Sequence, residues 1–150
     1  MDIRYTTEIS APADRVWRYI TEPELQKQWM RGVVANVPIE GEPNTVGSKS
    51  RMTIREGGSN QDYEVTLTEF EPHERLTVEM RGKNLGDTPM QVEYRLTDLV
   101  TETRLDYRCL WNPSSRVVRF VSWIFGGFAK GMLVGFMKSL KELCEAEGAA

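Results

Sequence analysis

Residues 120–137 read FVSWIFGGFAKGMLVGFM, eighteen residues with one charge, Lys130, and four glycines. The stretch is too apolar for an ordinary surface helix and too rich in glycine for an ordinary core helix. It could cross a membrane, form a partner surface or roof a cavity, and the fold turns on which.

The residues that follow orient it. Lys138, Lys141, Glu142 and Glu145 gather on one side of a helix, and Phe136, Leu140, Leu143 and Cys144 on the other. Projected back at 3.6 residues per turn, the apolar side selects Met132, Leu133, Ala129, Phe125, Ser122 and Val118. One stripe thus runs along a helix from about Ser114 to Glu147, roughly 50 Å in length. A membrane span fits poorly, because Lys130 near the bilayer centre would cost roughly 2.5–3.5 kcal/mol and Arg119 adds to that. The helix reads instead as a lid.

Its glycines need a reason, since each costs about 1 kcal/mol against alanine inside a helix. Gly127, Gly131 and Gly135 form GxxxGxxxG. This spacing fits a close backbone contact in a bent core helix. It equally fits side-chain volume left empty for a ligand, or a lid that moves. Gly126-Gly127 is the expected kink. Phe120, Trp123, Ile124 and Val134 project away from the inner stripe, so a straight helix would expose them. A break at Gly126-Gly127 would let them tuck inside, and that is the expectation.

What the lid covers lies upstream. Ile3, Tyr5, Thr7 and Ile9 alternate with Arg4, Thr6 and Glu8, the period-two pattern of a half-buried strand. Pro12 suits a first helical turn, and Val16, Trp17 and Ile20 follow at helical spacing. Thr21-Glu22-Pro23-Glu24 matches a T-x-x-E capping box opening a second short helix that runs to about Trp29. Period two then returns at 32–39, where Pro38 marks an edge or a bulge, and at 49–56, 61–70, 75–82, 90–98 and 103–111. Glu56-Gly57-Gly58-Ser59-Asn60 reads as a hairpin turn. Clean alternation over so many strands predicts an α+β protein: a seven-stranded antiparallel curved sheet with one dry face, wrapped around the long C-terminal helix.

The 150 residues fit a single domain, 1–150. Net charge is −3 with no basic block, so nucleic acid is not an expected partner. Cys109 and Cys144 lie far apart, and MDIRYTTEIS lacks the apolar core of a signal peptide, which together suggest a reducing, cytoplasmic setting. One histidine, His73, and no cysteine pair give no ligand set, so neither a metal nor a cofactor is expected. P-loop, GxGxxG and GxSxG motifs are missing from the sequence.

Alternation places Glu64, Glu79, Glu93, Arg95, Arg104, Asp106 and Arg108 on the wet face. The dry face is left with hydrocarbon plus Tyr63, Tyr94 and Tyr107. Such a surface suits a hydrophobic ligand and suits proton transfer poorly, because catalysis normally needs a tuned acid or base. The expected cavity walls from the sheet side are Trp17, Met52, Tyr63, Val65, Val78, Tyr94 and Tyr107. From the lid they are Phe125, Met132 and Phe136. The tyrosines are also compatible with an ordinary packed core.

The order strand, two short helices, six strands and long helix resembles the helix-grip fold of the START-like SRPBCC superfamily. ISAPADRVWRYITEPELQKQW (9–29), VGSKSRMTI (46–54), the strand rhythm to Trp111 and FMKSLKELCEAEG (136–148) carry the resemblance. Members of that superfamily include lipid and sterol carriers, polyketide cyclases and dehydratases, and co-chaperone-like activators, and they share a cavity between helix and sheet. The nearest subgroup is the polyketide cyclase/dehydrase and lipid transport type. The resemblance carries over no catalytic residue. It implies a carrier or sensor of a small hydrophobic ligand. The alternatives are a cyclase or dehydratase, needing an inward polar pair that a one-residue slip would expose, and an interaction module, with a homodimer as one form of it, using Phe120, Trp123 and Ile124.

Overall fold

The structure, a computed structural model, describes residues 1–149, and of 125, 128, 148 and 149 the backbone only. The period-two segments become β1 (Asp2–Ile9), β2 (Val33–Glu40), β3 (Lys49–Glu56), β4 (Ser59–Glu71), β5 (Arg75–Arg81), β6 (Met90–Asp98) and β7 (Thr103–Leu110). They form one antiparallel sheet in the order β1-β7-β6-β5-β4-β3-β2. β2 is an edge strand with a register shift next to Pro38, where a missing N–H does least harm. Gly57 and Gly58, at φ 56° and 86°, make the two-residue turn between β3 and β4, a geometry other residues adopt only with strain. A further bulge between Leu67 and Glu69 bends the long β4.

The chain crosses from one sheet edge to the other through α1 (Ala13–Thr21) and α2 (Pro23–Trp29). The expected capping box does not form. Glu22 is the N-cap of α2 and Pro23 its first residue, while Thr21 still belongs to α1 and its hydroxyl donates to the Trp17 carbonyl at 2.9 Å. Pro23 brings no N–H to the first helical position, and the Leu25 N–H is taken by the Glu22 carbonyl at 3.0 Å.

α3 (Arg116–Ala149) closes the dry face. Its later half is packed hard. Met137, Leu140 and Cys144 are buried with Val16, Ile20, Trp29, Ile9 and Leu105, and the Trp29 indole N–H donates to the Tyr19 carbonyl at 2.8 Å. This is the solid end of the molecule. Arg116–Ile124 is turned 59° from Ala129–Glu147, which puts the bend around the Gly126-Gly127 pair. The bend does not have the expected consequence. Phe120, Trp123 and Ile124 stay exposed, because their half of the helix stands off the sheet, and only Val134 is half-buried. The glycines are not tight contacts either. A Cβ added at Gly126, Gly127, Gly131 or Gly135 would meet nothing within 4 Å. Among the described residues no single helix is long and apolar enough to cross a membrane.

The outer face carries charged cross-strand pairs. Arg108 donates twice to Asp2, each at 2.9 Å, and Lys49 reaches Glu64 at 3.1 Å. Cys109 and Cys144 are buried and free.

Candidate ligand cavity

Because α3 packs closely at one end and stands off at the other, a space of about 1000 Å3 opens between its first half and the inner face of the sheet. Eight of the expected wall residues line it: Met52, Tyr63, Val65, Val78, Tyr94, Tyr107, Met132 and Phe136. Val118, Val121, Gly126, Ala129 and Leu133 complete the lid side. Gly126 contributes missing volume to the cavity, but Gly127, Gly131 and Gly135, the GxxxGxxxG glycines, are not part of its wall and lie exposed, so the empty-volume reading does not account for them.

Trp17 is not part of this wall. It is buried at the solid end, with its ring 5.5 Å from Phe70 and 6.0 Å from the imidazole of His73. Its helix α1 packs where α3 is tight, so its ring serves the core. The Phe125 side chain lies outside the described residues.

The inner face holds more polarity than alternation suggested. Glu56 ends β3 in phase with Met52 and Ile54, so its side chain turns inward at the sheet's rim. The Tyr63 hydroxyl donates to Glu56 Oε1 at 2.7 Å, and Asn84 Nδ2 donates to Glu56 Oε2 at 3.0 Å. Burial, and then the Glu56 carboxylate, push the Tyr63 phenol up to about 12, so it remains a neutral donor at physiological pH. Gly82 lies opposite. A Cβ there would fall 2.6 Å from Tyr63 Cδ1, so the ring occupies the space of a side chain.

Asn36 is the second addition. A register shift between Val33 and Ala35 reverses β2, which leaves Val34, Val37 and Ile39 exposed and puts Asn36 on the cavity, across from Met52. Asn36 Nδ2 donates to Gln26 Oε1 at 2.9 Å, and Gln26 Nε2 donates to the Ile20 carbonyl at 2.6 Å. Asn36 Oδ1 is buried without a hydrogen-bond partner among the described residues. Deeper in, Tyr94 and Tyr107 stack edge to face with centroids 5.3 Å apart, and burial holds both phenols well above their usual range.

Glu56 was legible had the alternation of β3 been carried one step into the supposed turn. The bulge that turns Asn36 inward, and the short 3-10 turn at Lys83–Leu85 that brings Asn84 to the rim, leave no such trace.

A curled antiparallel sheet gripped by a long helix, with an apolar cavity between them, defines the helix-grip class. The sequence belongs to the polyketide cyclase / dehydrase and lipid transport family, whose sequence model matches residues 1–145. No curated protein matches it. Among solved structures, protein CV1439 from Chromobacterium violaceum is 21% identical, with a TM-score of 0.76 over 97% of this chain and 98% of that one. DynU16, from the dynemicin biosynthetic locus, is 22% identical with a TM-score of 0.67 over 94% of this chain. The di-domain ARO/CYC StfQ from the steffimycin biosynthetic pathway is 14% identical with a TM-score of 0.76 over 99% of this chain. The chain spans about half the length of those last two proteins, 46% and 52%. At these identities the likeness is one of fold.

Proposed function

We propose that this protein binds one small hydrophobic molecule, lipid-like or polyketide-like, beneath α3 and carries or senses it unchanged. The observation that supports the reading is the cavity itself: about 1000 Å3, walled by Met52, Val65, Val78, Met132, Leu133 and Phe136. That is the upper end of the size and the apolar character of small-molecule sites. The phenols inside stay protonated and offer donors without charge. Glu56 and Asn84 put polar groups at the rim, which suits an amphiphile with its polar end outward.

Native mass spectrometry of gently purified protein tests this. A one-to-one adduct is the expected result, displaced by a fluorescent fatty-acyl probe. A Leu133→Trp variant, which narrows the cavity beneath α3, should keep its fold and bind the probe more weakly. Equal probe binding by that variant would count against the cavity as the site.

A second reading, a cyclase or dehydratase, is favoured by one observation, the hydrogen-bonded Glu56–Tyr63 pair on the cavity wall. A carboxylate and a phenol within hydrogen-bond reach are the minimum for moving a proton on a bound substrate. Turnover of a polyketide-like substrate abolished in a folded Tyr63→Phe protein would decide for it. Unchanged turnover would remove the pair from any mechanism.

A further inference from the structure

The first half of α3 has two faces with different surroundings. Val118, Ser122 and Gly126, spaced four apart, line the cavity. Val117, Phe120 and Ile124, spaced three and four apart, point the other way with Trp123 beside them, and are exposed by 73%, 60%, 52% and 78%. Four large apolar side chains on one helix face, open to water, form a surface built to be covered.

Charge indicates what covers it. The chain as a whole is acidic, at −3, yet residues 107–141 contain six Lys or Arg and no Asp or Glu. Among the described residues Arg116, Lys130 and Lys138 have no carboxylate partner. Arg119 and Lys130 share a groove of about 450 Å3 with Trp123, between α3 and the start of β1. The one carboxylate there, Asp2, is occupied by Arg108. A second copy meeting this face about a two-fold axis would bring the same cations together with no acid in the segment to answer them. An anionic surface with an apolar interior answers both features at once, and tryptophan with flanking arginine and lysine is the composition of a helix lying at a lipid interface.

We propose that Arg116–Ile124 is an interfacial docking element that seats on an anionic lipid bilayer. Its Phe120, Trp123 and Ile124 enter the headgroup boundary while Arg116, Arg119 and Lys130 meet acidic lipid. Docking places the thin α3 wall of the cavity against the bilayer, with the Gly126-Gly127 bend behind it. The functional value of this rests on the ligand reading above, but the docking does not, and the two are tested by different measurements.

The test is flotation with phosphatidylcholine vesicles, plain or doped with phosphatidylserine, combined with quenching of tryptophan by brominated lipid. Trp17 and Trp29 are buried and Trp111 is half-buried, so the quenching that a Trp123→Ser protein loses is the part that reports on Trp123. The wild-type chain should float with doped vesicles, less with plain ones and less in high salt. The Phe120→Ser/Trp123→Ser and Arg116→Glu/Lys130→Glu variants, changed only at exposed positions, should each lose at least about tenfold in binding. Trp123→Ser alone serves if a double variant misfolds. Absence of flotation, or variants that float like wild type, would overturn the proposal. So would a dimer in sedimentation that the same variants dissolve while vesicles stay unbound, since the face would then belong to a second copy. Ligand adducts in native mass spectra are read separately, so either idea can fail alone.

Discussion

The Tyr63 ring reaches Glu56 across ground that Gly82 leaves vacant: the phenol donates at 2.7 Å, and a Cβ on residue 82 would sit 2.6 Å from Cδ1 of the same ring. Gly82 has an extended backbone that any residue can adopt. Alanine there would therefore normally help, by removing freedom from the unfolded chain. Here the clash decides the sign. Gly82→Ala should destabilise by about 1–3 kcal/mol, as overpacking does. Urea unfolding measures it, and a neutral or stabilising result would mean the ring is not held where the hydrogen bond requires.

The same burial predicts an alkaline weakness. Desolvation pushes the Cys109 thiol up to about 11, Cys144 to about 12 and the Tyr63 phenol to about 12, from ordinary values of 9.0 for the thiols and 10.0 for the phenol. Each group is neutral when folded and loses its proton more readily when unfolded. Its contribution is whole below the unfolded value and fades as pH rises toward the folded one. Stability should be flat up to about pH 9 and then fall, by about 1.4 kcal/mol per pH unit for each group being titrated. Unfolding free energies at a series of pH values from neutral into the alkaline range check this. A Cys109→Ala/Cys144→Ala protein should show a shallower fall.

The order of elements, the sheet and most of the cavity wall were legible because two periods, 2.0 and 3.6, report directly on which side of an element is dry. Met52, Tyr63, Tyr94 and Phe136 follow from them. Two kinds of information were not in the pattern. Asn36 faces inward only because a bulge in an edge strand shifts the phase, and no residue in VVAN announces it. The exposure of Phe120 and Trp123 depends on α3 standing off the sheet, a distance that no residue pattern along the helix reports. Trp17 was misplaced for the related reason that periodicity marks the buried side of α1 and does not tell a packed end from a hollow one.

The glycines of the lid give a prediction with an unusual sign. Added methyl groups at Gly131 and Gly135 would touch nothing within 4 Å, and both positions are helical and exposed. Gly131→Ala and Gly135→Ala should each stabilise by about 0.5–1 kcal/mol. Thermal unfolding of the single variants reads this out. A loss of stability at either position would reveal that the helix backbone approaches a neighbour in solution.

Asn36 and Gln26 form a chain that ends badly on one side. The Ile20 carbonyl receives Gln26 Nε2, Gln26 Oε1 receives Asn36 Nδ2, and Asn36 Oδ1 receives nothing. Removing either residue breaks the link between them, but what remains differs. Asn36→Leu deletes the orphaned oxygen and leaves only Gln26 Oε1 short of a donor. Gln26→Leu strands the Ile20 carbonyl and Asn36 Nδ2 while keeping the orphan. Stranding buried polar groups costs about 1–3 kcal/mol, and deleting an unsatisfied one recovers some of that. Asn36→Leu should therefore lie within about 1 kcal/mol of wild type, and Gln26→Leu should be weaker by about 1–3 kcal/mol. Paired urea titrations would show the order. If Asn36→Leu were instead the more damaging change, Asn36 Oδ1 must be satisfied in solution, and water entering from the cavity would be the natural source.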